Sequence, residues 1–179
     1  MKNRWDRGVS AVFCLVLSLN LVFDELVGDF ISKNTDWTVV NIACGLDTRA
    51  YRMDNALLTW YNLDLPETIE VRNSVYNESG RISTIACSVL DKAWVNQVKV
   101  RGKILFIIEG LTMYMSADEV KTMLGIIRDN FDNAYVCMET LCPLFVKKRR
   151  HREINKSHRC NIYLGHRQIW RFKRYCCVI

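Results

Sequence analysis

Short apolar runs that end in a glycine or an acid alternate with amphipathic stretches along most of this chain. Phe23, Leu26, Val27, Phe30 and Ile31 recur at helical spacing and predict an amphipathic helix that ends between Ser32 and Asp36. Trp37 to Ala43 reads as a strand, Thr48 to Asp54 as a short helix, and Leu58 to Asp64 as a second strand. Pro66 opens a helix over Glu67 to Tyr76, because proline is tolerated at the first helical position. Asn77 to Gly80 is a turn, and Arg81 to Ser88 is a third strand, followed by Val89 to Lys92 and a polar helix or loop to Gly102. Lys103 to Glu109 is the most hydrophobic strand and therefore central, since parallel strands covered on both faces read as unbroken apolar runs. Ser116 and Glu119 form a capping box for a helix whose apolar face is Val120, Met123, Leu124 and Ile127. Ala134 to Thr140 is a fifth strand.

Strands alternating with helices predict an α/β fold with a doubly wound, mostly parallel sheet. Ligands bind such sheets beyond the carboxyl ends of the strands. Those ends hold Ala43 to Gly45, Asp64, Ser88 to Asp91, Glu109 and Glu139, which is more acid than packing requires. Beyond Pro143 the periodicity stops. The expected organisation is therefore a helical segment over 1–36, a ligand-binding core over 37–146 and an atypical tail over 147–179 that leaves the sheet incomplete at its C-terminal edge.

Charge sharpens that last boundary. The net charge is +6, yet residues 147–179 contain eleven of the 25 Lys and Arg and one of the 19 acids, Glu153. The body is mildly acidic and the tail strongly basic. Eight cysteines are scattered without a CxxC pair, several inside apolar runs, as expected for reduced thiols of a cytoplasmic protein. Lys2, Arg4 and Arg7 before the apolar stretch Val9 to Phe23 resemble a secretory signal in outline, but the run passes into Asp24-Glu25 without a small-residue cleavage site. It is too short to span a membrane, and a buried helix is the better reading.

Candidate chemistry concentrates in Val39-Val-Asn-Ile-Ala-Cys-Gly-Leu-Asp-Thr-Arg49 and Trp60-Tyr-Asn-Leu-Asp-Leu-Pro66. Glycine at one strand tip lets backbone approach a ligand, and an acid at the next tip accepts from ribose hydroxyls. A dinucleotide would require more glycines and an open helix N-terminus for its diphosphate. Here Asp47 stands where the helix begins, and it would repel phosphate while capping the helix. The turn suits a phosphate-free nucleoside such as S-adenosylmethionine, and a nicotinamide dehydrogenase is disfavoured.

These two segments, with Ile85-Ala-Cys-Ser-Val-Leu-Asp91 and Ile107-Ile-Glu-Gly-Leu-Thr-Met-Tyr-Met115, resemble the leucine carboxyl methyltransferase family, which includes bacterial O-methyltransferases of the polyketide-biosynthesis type. The resemblance covers roughly residues 21–146. It implies the class I methyltransferase sheet and S-adenosylmethionine as cofactor. By the same resemblance, Ala43 and Gly45 pass the methionine part and Asp64 binds the ribose. Asp91 and Lys92 flank the adenine, with Asp91 accepting from its amine, and Leu65 is a further cofactor-binding residue. Glu109 is the cofactor-site acid after the fourth strand, and Tyr114 lines the acceptor pocket. The implied reaction moves a methyl group to a carboxylate or hydroxyl oxygen of a small molecule or protein. An ionised carboxylate needs no base, whereas a phenol with a pKa near 10 does. No side chain stands out as that base.

Other readings accompany these residues. Asp64 before Leu65-Pro66 could cap a helix, Asp47 and Arg49 could pair on the surface, and Tyr114 and Met115 could be core. Glu109 is harder to explain without a partner, because an acid closing an apolar strand is costly to bury. Two departures from the family are expected to matter: no cation lies between Arg7 and Lys33, where members carry an arginine before Phe23-Asp24, and the tail does not resemble family sequence. A truncated or frameshifted, noncatalytic remnant with partial nucleoside binding is the alternative. Nonspecific binding of nucleic acid or an anionic surface by the tail, and zinc at His158, Cys160 and His166, are weaker readings, and no specific nucleic-acid partner is expected.

Overall fold

The computed structural model of the chain describes residues 20, 21, 23–32, 36–53, 58–139 and the backbone of Cys177–Val178. Val9 to Leu19, Lys147 to Cys176 and the proposed zinc ligands lie outside the described residues. The chain divides into two units, Met1–Thr35 and Asp36–Ile179. In the first, helix α1 (residues 23–32) buries Phe23, Val27 and Ile31, one residue per turn along a single stripe. Among the described residues no helix is long and apolar enough to cross a membrane.

The second unit is an α/β sheet. Strands β1 (Trp37–Ile42), β2 (Thr59–Asp64), β3 (Ile82–Ala86), β4 (Lys103–Ile108) and β5 (Ala134–Met138) are parallel in the order β3-β2-β1-β4-β5. A two-residue strand β6 (Cys177–Val178) pairs antiparallel with β5. The lack of strand periodicity in the tail is compatible with it, because a segment this short adds backbone pairing without any side-chain pattern. β1 is buried along its whole length and β4 at every position after Lys103, as expected of central strands covered on both faces.

Helices α2 (Arg49–Arg52), α3 (Pro66–Val75) and α4 (Ala117–Asn130) follow β1, β2 and β4. Pro66 occupies the first turn of α3, and the Ser116 and Glu119 capping box opens α4. All four predicted apolar residues of α4 are buried, together with Ile126. They meet a core of Val40, Ile42, Leu63, Ile85, Phe106 and Ile108, where Trp94 stacks on Phe131 at 5.6 Å and Phe106 meets both rings edge-on. The predicted polar helix or loop after β3 is a short 3-10 helix, Lys92–Gln97, whose one deeply buried side chain is Trp94.

Gly102 turns the chain into β4 with φ of +61°, and a side-chain carbon there would overlap the carbonyl oxygen of Asp36. Gly80 has a similar φ of +69° but faces open space. Gly80→Ala is expected to cost roughly 1–2 kcal/mol, the strain of a left-handed backbone. Gly102→Ala should cost about 1–3 kcal/mol more, because backbone must move to relieve the overlap. Urea unfolding of the two variants measures the difference; equal losses would refute the packing account of Gly102.

Candidate active site

Parallel register places the ends of four strands side by side. Ile42 pairs with Leu63 and with Ile108, and Ile108 pairs with Met138. The next residues in each chain are Ala43, Asp64, Glu109 and Glu139, so three acids follow one row of buried apolar side chains. That row is the carboxyl edge at which ligands of such sheets bind.

The chain leaves β1 through two left-handed residues, Ala43 with φ of +54° and Gly45 with φ of +48°. A glycine suits such a turn, and a side-chain carbon at Gly45 would meet nothing within 4 Å, so the space before it is open. Gly110, just beyond β4, combines φ of +69° with the same openness. The Gly45 N–H donates to Asp64 Oδ2 at 2.8 Å, and the Leu65 N–H donates to Asp64 Oδ1 at 2.7 Å. Asp64 therefore does not cap α3: its first-turn boundary is Leu65, with no side-chain cap. The carboxylate is instead fixed in orientation by two backbone donors, with lone pairs left over.

Asp47, expected at the helix start, lies one residue before the boundary residue Thr48. Its Oδ1 accepts from the Arg49 N–H at 2.9 Å, and its Oδ2 accepts from Asn41 Nδ2 and from Arg49 Nη1, each at 2.9 Å. Arg49 is 2% exposed, and the same Nη1 reaches Glu109 Oε2 at 2.6 Å. The surface-pair reading of Asp47 and Arg49 is thus corrected. One buried guanidinium bridges two carboxylates from different strand ends and is the partner Glu109 needed. Burial pushes the Glu109 carboxyl above its ordinary value, against the pull of Arg49. Nearby, Glu139 Oε2 accepts from the Gly110 N–H at 2.9 Å.

The remaining predicted residues stand along the same edge. Asp91 is exposed; one oxygen accepts from the Ala93 N–H at 2.9 Å and so caps the 3-10 helix that begins at Lys92, also exposed. Tyr114 closes the 3-10 turn Thr112–Tyr114 and is 82% exposed, which corrects its reading as core. Met115 is partly buried against the core. Direct bonds join Gly45, Leu65 and Asp64, and join Glu109 to Arg49, but not Asp91, Lys92 or Tyr114 to either group.

A second buried cation was not foreseen. Arg72 of α3 is fully buried and donates through Nε and Nη2 to Glu78 Oε1 at 2.8 and 2.6 Å, and through Nη1 to the Gly45 carbonyl at 2.8 Å. Glu78 Oε1 also accepts from Tyr51 Oη and Asn62 Nδ2. Burial is the largest influence on the Arg72 pKa and lowers it, but the Glu78 bond together with the charges of Cys44, Glu78 and Tyr51 turns the net direction upward. The one local signal was the spacing of Ile69 and Arg72, the two buried residues of α3. The Cys44 thiol, pushed up to about 12 by burial, is an inert core group.

These residues fit S-adenosylmethionine better than a phosphate-bearing cofactor. Asp64 and Asp91 offer acceptors, two glycines leave room for close backbone approach, and the two buried arginines among the described residues are committed to carboxylates.

Comparison with known proteins agrees. A family profile described as leucine carboxyl methyltransferase matches residues 15–128. The chain is 30% identical over 135 residues to the tetracenomycin polyketide synthesis O-methyltransferase TcmP of Streptomyces glaucescens, covering 75% of this chain and 50% of that protein. It is 28% identical over 141 residues to the S-adenosyl-L-methionine-dependent methyltransferase dpfgK of Gibberella zeae, covering 73% and 47%. The chain thus spans about half the length of the curated relatives it matches. Among solved structures, the N-methyltransferase NodS of Bradyrhizobium japonicum WM9 shares the fold with a TM-score of 0.55 at 11% identity, covering 75% of each chain. The methyltransferase SibL in its apo form does so with a TM-score of 0.52 at 18% identity, covering 72% of this chain and 40% of that one. The sheet is that of the S-adenosylmethionine-dependent methyltransferases, and the chain belongs to the leucine carboxyl methyltransferase family.

Proposed function

We propose that this chain binds S-adenosylmethionine at the carboxyl edge of its sheet and serves methyl transfer to an oxygen of a small molecule or a protein carboxylate. The observation that carries this reading is the Asp64 carboxylate, held by the Gly45 and Leu65 N–H groups beside a glycine that faces open space. When bound, the cofactor supplies a methyl group activated by its sulfonium. The chain's own part is alignment, the larger source of acceleration where no covalent step is involved.

Asp64 keeps lone pairs for the two ribose hydroxyls. The free oxygen of Asp91 accepts from the adenine amine, with Leu65 and Lys92 flanking the ring. Ala43 and Gly45 pass the methionine part, and Glu109, held by Arg49, bounds the site near the sulfonium. Tyr114 presents an exposed phenol ring to the acceptor side. An acceptor carboxylate needs no base, which suits a site with no residue assigned as one. The oxygen acceptor is further supported by the name of TcmP, an O-methyltransferase. Free thiols at Cys44 and Cys87 suit a cytoplasmic setting.

Calorimetry with S-adenosylhomocysteine tests the site. The full chain is expected to bind it, and Asp64→Ala to weaken binding by about 10- to 100-fold, the scale of lost hydrogen bonds to a charged acceptor. No binding tighter than about 1 mM, an affinity worth only ~4 kcal/mol, would favour the noncatalytic remnant instead. Unchanged binding in Asp64→Ala would move the ribose site elsewhere.

Arg49→Met should expose the electrostatic frame. Asp47 keeps Arg52 at 3.9 Å, but leaving Glu109 without its cation is expected to cost roughly 3–5 kcal/mol near pH 8. Glu109 already titrates above its ordinary value, and losing Arg49 raises it further, so the native state takes up a proton that the unfolded chain releases. Stability of the variant should therefore recover as pH falls toward 5. Denaturant unfolding at the two pH values checks this, and a deficit independent of pH would rule out Glu109 as the stranded charge.

A further inference from the structure

The turn beyond β1 is closed by the Asp47 N–H, which donates to the Cys44 carbonyl at 2.9 Å, so Gly45 and Leu46 are its two central residues. Gly45 has φ of +48°, while Leu46 is not among the residues of positive φ, which is the sign pattern of a type II′ turn. A type II′ turn is related to type I′ by rotation of its central peptide. Here that peptide joins Gly45 to Leu46, and its carbonyl is the one that accepts from Arg72.

Arg72 has little freedom to release it. Its guanidinium is fully buried, bonded twice to Glu78 Oε1 and set 5.0 Å from the Tyr76 ring centre. Glu78 is in turn fixed by Tyr51 and Asn62, and the Tyr76 hydroxyl donates to the Leu46 carbonyl at 3.1 Å. The peptide bond is trans, so its N–H is directed opposite to its carbonyl, away from Arg72. That Leu46 N–H makes no hydrogen bond to another described residue, and Leu46 is 49% exposed.

We infer that Arg72, held by Glu78, is a positioning residue that aims the Leu46 N–H at the carboxylate of the cofactor's amino-acid end. This rests on the cofactor site proposed above. Asp64 and Asp91 offer acceptors, which serve hydroxyls and an amine. The carboxylate needs donors, and a backbone N–H with a fixed direction is one at no ordering cost. If Arg72 is lost, the central peptide can rotate and turn a carbonyl oxygen toward the same anion.

The test compares two ligands by calorimetry on the full chain: S-adenosylhomocysteine, and 5′-methylthioadenosine, which keeps the nucleoside but lacks the amino-acid carboxylate. Arg72→Met is expected to weaken S-adenosylhomocysteine by about tenfold or more and methylthioadenosine by less than about threefold, since only the former uses the charge-assisted bond. Should the Met variant not fold, Arg72→Lys keeps a cation against Glu78 but cannot serve both partners, and the same selective loss is expected at about threefold. Equal weakening of both ligands, or of neither, in a folded variant overturns the inference and leaves the cofactor site standing. A wild-type chain that binds neither ligand overturns both.

Discussion

The parallel register of β2, β1, β4 and β5 is the constraint from which the rest follows. Side chains alternate across a strand, so a slip of one residue would move every core residue of a strand to its other face. The covered faces around Ile42, Leu63, Ile108 and Met138 oppose that slip, since a close-packed core fits side chains of one size and shape at each position. The residue after each is then forced to the same edge. Apolar packing thereby sets the spacing of Asp64, Glu109 and Glu139, although none of the three takes part in it.

Two buried cations convert that edge from a collection of acids into a defined surface. Desolvating a guanidinium is expensive, and the expense is offset only when its donors are matched by well-placed acceptors. Arg49 is satisfied by Asp47 and Glu109, and Arg72 by Glu78 and the Gly45 carbonyl. Each pair ties the turn after β1 to a different part of the fold. The turn is therefore held from both sides, and a flexible segment, whose ordering would weaken binding, is already ordered.

The fold was readable from the sequence because its strands are driven by burial. Apolar runs ending in polar residues located β1, β2, β4 and β5 to within a residue or two, and the capping box located α4. The edge acids were readable too, since Asp64 and Glu109 interrupt patterns that apolar residues would otherwise continue. What escaped was set by contacts distant in sequence. Arg49 looks like one half of a surface pair with Asp47, and only the position of β4 buries it. Arg72 lies in a helix where Val71 and Val75 are more than half exposed while the arginine is not, an inversion for which its spacing from Ile69 is the one local signal. Tyr114, read as lining the acceptor pocket with core as the alternative, follows the edge row on a short 3-10 turn and is exposed, which removes only the alternative. β6 is too short to carry a pattern.

Glu78 has a consequence for how substitutions along this chain would be tolerated. It sits in Asn77 to Gly80, a polar connection of the kind in which sequence drift is ordinarily harmless. Yet its Oε1 gathers donors from three elements at once, Tyr51 of α2, Asn62 of β2 and Arg72 of α3. An aspartate is one carbon too short to reach them all, and a lysine would add a second cation beside Arg72. The most replaceable-looking stretch of the core thus contains one of its least replaceable residues, and variation there would be felt first at the turn beyond β1, whose Gly45 carbonyl Arg72 holds.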